Sequence, residues 1–218
     1  MYGLPKDGGT CPGATTGKGG CLEIRDGNKR QTCYMAKITQ IYKAVGTRLL
    51  GNTELLKGKS VDEMVEVLAN TVQDFKTRNK GKNLFFRIQY SGDFYSADYA
   101  KAWSATIKKF PEVQFWVYSR SHDVASHFVD NKNLTFYFSI DPANKETGKK
   151  IYDQFAHLPN FGLAMMSNDE QIEGIKFITC PETSGKIKNT DEAGACSKCR
   201  LCVDNYKSKV RHIRFNIH

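Results

Sequence analysis

The chain has 218 residues, 40% of them hydrophobic and 25% charged, with 32 Lys and Arg against 23 Asp and Glu for a formal net charge of +9. That is globular composition for one sizeable core, so a single domain over 1–218 is expected. No apolar run approaches the roughly 18 residues of a membrane span, and the opening MYGLPKDGGTCPGATTGKGG has no apolar h-region, so a soluble cytoplasmic protein is expected, with no membrane partner.

Residues 1–32 form a Cys- and Gly-rich lead-in with little periodicity. From Cys33, apolar residues at Ile38, Ile41, Val45 and Leu49 keep helical spacing. Ser60 is a good N-cap and Glu63 completes a capping box, with Val61, Met64, Val65, Leu68, Val72 and Phe75 along one face. The pattern then alternates. LFFRIQY (84–90) reads as a strand, SADYAKAWSATIKKF (96–110) as a helix, and VQFWVYS (113–119) as a strand before a short helix at 121–129. LTFYFSI (134–140) is a strand, ETGKKIYDQFAHL (146–158) a helix, and FGLAMMS (161–167) and IKFITC (175–180) are strands separated by the short helical DEQIEG. The closing VRHIRFNIH keeps a strand period at Val210, Ile213, Phe215 and Ile217. This alternation predicts an α/β fold, either a partial (β/α) barrel or an open, mostly parallel sheet of five to six strands.

In such folds the working residues gather at the carboxyl ends of the strands. Those ends are Gln89, Ser91 and Asp93; Tyr118, Ser119 and Arg120; Ser139 and Asp141; Ser167, Asn168 and Asp169; and Cys180. Turn chemistry alone accounts for part of this, because Ser, Asn and Asp favour turns. Asp93, Arg120 and Asp141 are the catalytic candidates, placed to hold a polar, anionic substrate at one shared mouth. On this reading Asp93→Asn damages activity and leaves folding intact.

Seven cysteines in a reducing cytosol point to metal or catalysis rather than a disulfide framework. Cys196, Cys199 and Cys202 are spaced C-x2-C-x2-C, the ferredoxin run that suits a cubane, and Cys180 is followed by Pro181 as a remote fourth ligand is in those runs. Cys180, Cys196, Cys199 and Cys202 are therefore read as one [4Fe–4S] site in a metal-binding loop over 180–202. Zinc is the alternative, although structural zinc usually takes two separated pairs. Cys11, Cys21 and Cys33 could hold a second cluster with one open iron, recruit His212 or His218, complete a zinc site, or be free thiols. Cys33 opens a helix, where the dipole stabilises a thiolate.

The excess of basic residues favours an anionic partner, nucleic acid above all. The basic residues are scattered, however, and the densest stretch, KTRNKGK (76–82), reads as a turn, so a solvated surface is the plainer alternative. GTCPGATTGKGG lacks the residue order of a P-loop. Tyr99 and Trp103, at helical spacing, read as core.

TCPGAT (10–15), CYMAK (33–37), SGDFYSADYAKAW (91–103), FWVYSRS (115–121), TCPETSGK (179–186), CSKCRLC (196–202) and IRFNIH (213–218) are together similar to a family of phage proteins labelled gene-product-eighty-eight-like. The resemblance runs nearly end to end. It implies a viral or prophage origin, a place in the host-cell cytoplasm or the virion, and iron–sulfur or other metal binding, and it names no reaction. More distantly the chain resembles radical SAM enzymes, in which a three-cysteine loop precedes a helix and a glycine-acid motif ends the next strand of a partial barrel. SGDF (91–94) stands at that place. Ser91 and Gly92, with Ser167 and Asp169 at a later strand exit, are the candidate cofactor-binding positions. The compact C-x3-C-x2-C and the glycine-glycine-glutamate tripeptide are absent, and the lead-in strand before Cys11 is almost missing, so SAM is not assigned. Three functions follow: a redox or radical enzyme, a zinc-stabilised basic nucleic-acid-binding module, and a structural or virion-associated metalloprotein.

Overall fold

The structure, a computed structural model, describes residues 1–6, 9–24, 32–188, 194–203 and 212–217. In chain order the elements are α1 (Tyr34–Ile41), α2 (Lys43–Glu54), α3 (Val61–Arg78), β1 (Phe85–Ile88), α4 (Ala97–Lys109), β2 (Gln114–Ser119), a 3-10 helix (His122–Phe128), β3 (Leu134–Ile140), α5 (Lys145–Asp153), β4 (Phe161–Met166), β5 (Ile178–Thr179), α6 (Gly194–Cys199) and β6 (Ile213–Phe215). The class is the expected α/β. Six strands form an open arrangement, and every described strand pairing is parallel. The chain divides into two units, Met1–Gly13 with Tyr34–Leu134, and Ala14–Cys33 with Thr135–His218. Among the described residues, no helix is long and apolar enough to cross a membrane.

In the first unit the predicted capping box forms. Ser60 Oγ accepts the Glu63 N–H, and the Glu63 carboxylate accepts the Ser60 N–H at 2.8 Å. Both reciprocal bonds satisfy helix-end donors that would otherwise be orphaned. Helix α3 buries Met64, Val65, Leu68 and Val72. Helix α4, capped by Ser96, buries Tyr99, Trp103 and Ile107. Phe86 of β1 sits among Phe75 (ring centroids 5.2 Å apart), Phe115 (5.8 Å) and Trp103 (6.1 Å). The register pairs Phe86 with Phe115 across β1 and β2.

Among the described residues no strand precedes α1. Residues 2–4 run beside the end of β1: the Tyr2 N–H donates to Arg87 O (3.1 Å), Tyr2 O accepts from the Tyr90 N–H (3.0 Å), and the Leu4 N–H donates to Ser91 O (2.8 Å). Three residues are too few for a period to show, and Tyr2 and Leu4 are both buried.

In the second unit the order is β3-β4-β6-β5, with Phe136 level with Phe161, Ala164 with Ile213, and Ile178 with Ile213. The last strand is thus inserted between β4 and β5. Phe138 packs on Phe155 (5.6 Å), Tyr152 (5.9 Å) and Phe161 (6.1 Å).

Other differences from the sequence reading are local. The continuous helix expected from Cys33 breaks at Tyr42, whose φ of −111° and ψ of 86° are not helical. DEQIEG is not helical: Ile172 and Ile175 bridge antiparallel around a turn at Glu173 and Gly174, where Gly174 takes φ +73°, because so short a stretch cannot nucleate a helix against a left-handed glycine. Helix α5 stops at Asp153, and β5 keeps only two residues. Val210 lies outside the described residues.

Trp103 is fully buried between α4 and its neighbours. Trp103→Ala should lower stability by ~3–5 kcal/mol in urea denaturation. A midpoint near that of the unaltered protein would contradict this packing.

Candidate functional site

Asp93 follows a glycine that only glycine can supply. Gly92 has φ +69°, and a Cβ there would lie 2.7 Å from Leu4 Cβ. The Asp93 carboxylate is buried and accepts four bonds. Oδ1 takes the Phe94 N–H (2.8 Å) and the Ser119 hydroxyl (2.7 Å), while Oδ2 takes the N–H groups of Arg120 (2.6 Å) and Ser121 (3.2 Å). Its own N–H donates to Thr10 O at 2.6 Å. Burial pushes the carboxyl above its ordinary range, and the bonds from Ser119, Arg120, Phe94 and Ser121 pull the other way. This one side chain ties the exit of β1 to the exit of β2. Gln89, at φ +54°, supports it by donating through Nε2 to Asp93 O (3.2 Å) and to the Tyr99 hydroxyl (2.9 Å).

Arg120, whose backbone Asp93 fixes, is half-buried on a cavity of about 260 Å³ that Pro12, Tyr95, Ser96 and Asp123 also line. A Cβ on Gly13 would fall 2.2 Å from Arg120 O, so the Cys11-Pro12-Gly13 turn lies directly on the β2 exit. Ser91 serves the residue 2–4 segment through its carbonyl, and its buried hydroxyl has no hydrogen-bond partner among the described residues.

Asp141, buried at the β3 exit, belongs to the second unit. Its Oδ2 accepts the Thr15 hydroxyl at 2.5 Å and its Oδ1 accepts the Ala143 N–H at 3.0 Å. The Thr15 N–H donates to Cys21 Sγ (3.4 Å), and the Cys33 N–H donates to Cys21 O (2.8 Å), so two of the three N-terminal cysteines are neighbours. Cys11 belongs to the first unit.

The C-terminal triplet is docked at its end, by the carbonyls of Cys202 and Val203. Cys196 and Cys199 lie on α6, which ends where Arg200 takes φ +57°. The Tyr137 hydroxyl then donates to Cys202 O (3.4 Å) and the Thr135 hydroxyl to Val203 O (3.1 Å). Burial, and next the charge of Cys202 and Cys199, pushes the Tyr137 phenol well above its usual range. Cys180 directly follows β5, with its N–H on Arg214 O (2.7 Å) and its carbonyl accepting from Ser184 N–H (3.0 Å) and the Thr183 hydroxyl (3.2 Å).

The registers put Ile178 level with Ser139, so Cys180 stands at the level of Asp141, four residues beyond Tyr137 and three strand spacings away. At about 3.3 Å per residue and about 4.8 Å per strand, that is roughly 13 Å along the strands and roughly 14 Å across them. All seven cysteines are free thiols. Among the described residues, no three His, Cys, Asp or Glu side chains come together as a metal-binding group, so the expected four-cysteine site is not assembled there. Spacing along the chain fixes the tether and says nothing of where each end docks.

Ser167 and Asp169 close a local turn. Ser167 Oγ accepts the N–H groups of Glu170 (3.1 Å) and Asp169 (3.4 Å). Beside it Lys145 pairs with the Glu170 carboxylate at 2.6 Å, and Arg214 donates to Glu170 O at 2.5 Å. His212 is built into the sheet, with Nδ1 accepting the Leu163 N–H (3.1 Å) and its ring edge-on to Tyr152. His218 lies outside the described residues. Sequence reasoning missed Thr10, Thr15, Thr135 and Tyr137, which anchor the cysteine segments. The one available signal was the pair of threonines flanking CPGA.

With both oxygens of Asp93 spent on neighbours, the geometry reverses the sequence expectation for Asp93→Asn. The amide would set a donor against donors. A loss of about 2–3 kcal/mol is expected in urea denaturation, since bonds to charged groups contribute ~1.5–3 kcal/mol each. Unchanged stability with lost function would restore the substrate-binding role.

The Gene product 88 family profile matches residues 1–205. The Gene 88 protein of Mycobacterium phage L5 is 32% identical over 213 residues, covering 94% of this chain and 83% of the relative. The Gene 88 protein of Mycobacterium phage D29 matches with the same identity and coverage. No solved structure matches the chain. The chain therefore belongs to the Gene product 88 family of phage proteins.

Proposed function

We propose that the chain is a phage iron–sulfur protein working in the host-cell cytoplasm, with redox or radical chemistry on a polar substrate. The observation that carries this reading is seven free thiols in an open α/β scaffold, three of them at the ferredoxin spacing. Thiolates suit iron–sulfur clusters and zinc among the metals. Cys180, Cys196, Cys199 and Cys202 would hold a [4Fe–4S] cluster, with Cys11, Cys21 and Cys33 as a second set. A bound cluster supplies one-electron transfer. Thiolate loops take their final arrangement together with the metal, so metal binding itself tests the ligand set. Arg120, fixed at the cavity by Asp93, is the group placed to hold an anionic part of a substrate. SAM is not part of the proposal.

The net charge of +9 favours a second reading, a zinc-stabilised module that binds nucleic acid. A virion-associated metalloprotein is the third, in which the metal only holds the fold.

Cys199→Ala should abolish the visible absorption of anaerobically purified protein, and unchanged colour would sink the C-terminal assignment. For the second reading, affinity for DNA or RNA should fall steeply as salt rises. No measurable binding at low salt would remove it.

A further inference from the structure

Thr15 is the hub of the thiol loop in the second unit. Its hydroxyl donates to Asp141 Oδ2 (2.5 Å), accepts the Cys21 N–H (3.0 Å) and lies 3.7 Å from Cys21 Sγ. Its N–H donates to that sulfur (3.4 Å), and its carbonyl accepts the Leu22 N–H (2.9 Å). Asp141 is itself held, since its backbone N–H donates to Asn144 Oδ1 (2.8 Å). The loop is pressed onto this turn. A Cβ on Gly19 would meet the Pro142 ring at 2.6 Å, and one on Gly20 would meet Thr15 O at 2.6 Å. Cys21 is buried, and the Cys33 N–H on its carbonyl sets a second thiol residue beside it.

This is more organisation than a spare thiol requires. The Thr15 N–H aimed at the sulfur, and the Thr15 hydroxyl oxygen holding the Cys21 N–H, fix the direction of Cys21, as outer-shell partners do for a thiolate ligand. We infer that Thr15, held by Asp141, is a positioning residue for the Cys21 sulfur, and that Cys21 and Cys33 together take a thiophilic metal ion or an iron of a cluster. The inference rests on the reading that the chain's thiols bind metal. It moves Asp141 away from the substrate: its carboxylate acts on the metal ligand through Thr15.

The test uses the full chain, reduced and metal-free, with cadmium(II) alone as the probe. Alkylation of each cysteine by N-ethylmaleimide is followed by mass spectrometry as cadmium is added. Cadmium should protect Cys21 and Cys33. In Thr15→Val, about 10–100-fold more cadmium should be needed for that protection, the usual cost of losing an outer-shell partner. Protection of Cys196 and Cys199 should be unchanged, and Thr15→Ser should restore the original midpoint. An unchanged midpoint in Thr15→Val, or no rescue by Thr15→Ser, overturns the positioning role. If circular dichroism shows Thr15→Val unfolded, Asp141→Asn, which keeps the threonine, carries the same comparison. If cadmium protects no cysteine, the metal reading falls, and metal-free labelling then decides on positioning. Cys21 should alkylate more slowly than Cys33, and faster in Thr15→Val than in the unaltered protein. Equal Cys21 rates in the two proteins overturn it.

Discussion

The buried carboxylate of Asp93 is the constraint on which the first unit's strand exits depend. An uncompensated charge there would be costly, and four donors offset the cost. Three are backbone N–H groups that follow β1 and β2 in the chain, those of Phe94, Arg120 and Ser121. One side chain therefore satisfies the ends of two strands at once and fixes the backbone of Arg120. Gly92 and Gly13 belong to the same constraint, since a Cβ at either would strike Leu4 or Arg120.

The second unit repeats the device with different parts. Asp141 closes the β3 exit and holds Thr15 by its hydroxyl, whereas Asp93 holds Thr10 by its carbonyl. The two threonines flank Cys11-Pro12-Gly13-Ala14, so each end of that short segment is tied to a strand-exit aspartate of its own unit. A parallel sheet delivers polar residues to the carboxyl ends of its strands. Here Ser119 is used on Asp93 and Ser167 on its own turn, while Thr135 and Tyr137, within β3 rather than at its exit, hold the segment after α6. Arg120, at the β2 exit, lines a cavity together with Ser121.

The parts legible in the sequence were those carried by a period or by a cap. Ser60 and Glu63 gave the start of α3, and the aromatic spacing of Tyr99 and Trp103 gave the buried face of α4. The strand exits could be placed because strands and helices alternate clearly from Leu84 to Ser167. What stayed hidden depends on contacts between distant residues. The pairing of residues 2–4 with β1 leaves no period in three residues, and the insertion of β6 between β4 and β5 is a choice of neighbour that no local pattern records. The break at Tyr42 falls inside an unbroken helical spacing. The roles of Thr15 and Asp141 rest on a bond across 126 positions. The cysteine spacing records the length of the tether, but not where Cys180 and the triplet stand on the sheet.

The central claim is that the thiols are ligands. Iron, acid-labile sulfide and zinc should be measured on protein purified without oxygen. About four irons and four sulfides per chain, or about twice that if the N-terminal trio is also loaded, is the result expected of thiolate-held cubanes. Zinc without sulfide would contradict the iron–sulfur reading, and protein free of both metals would contradict ligation altogether.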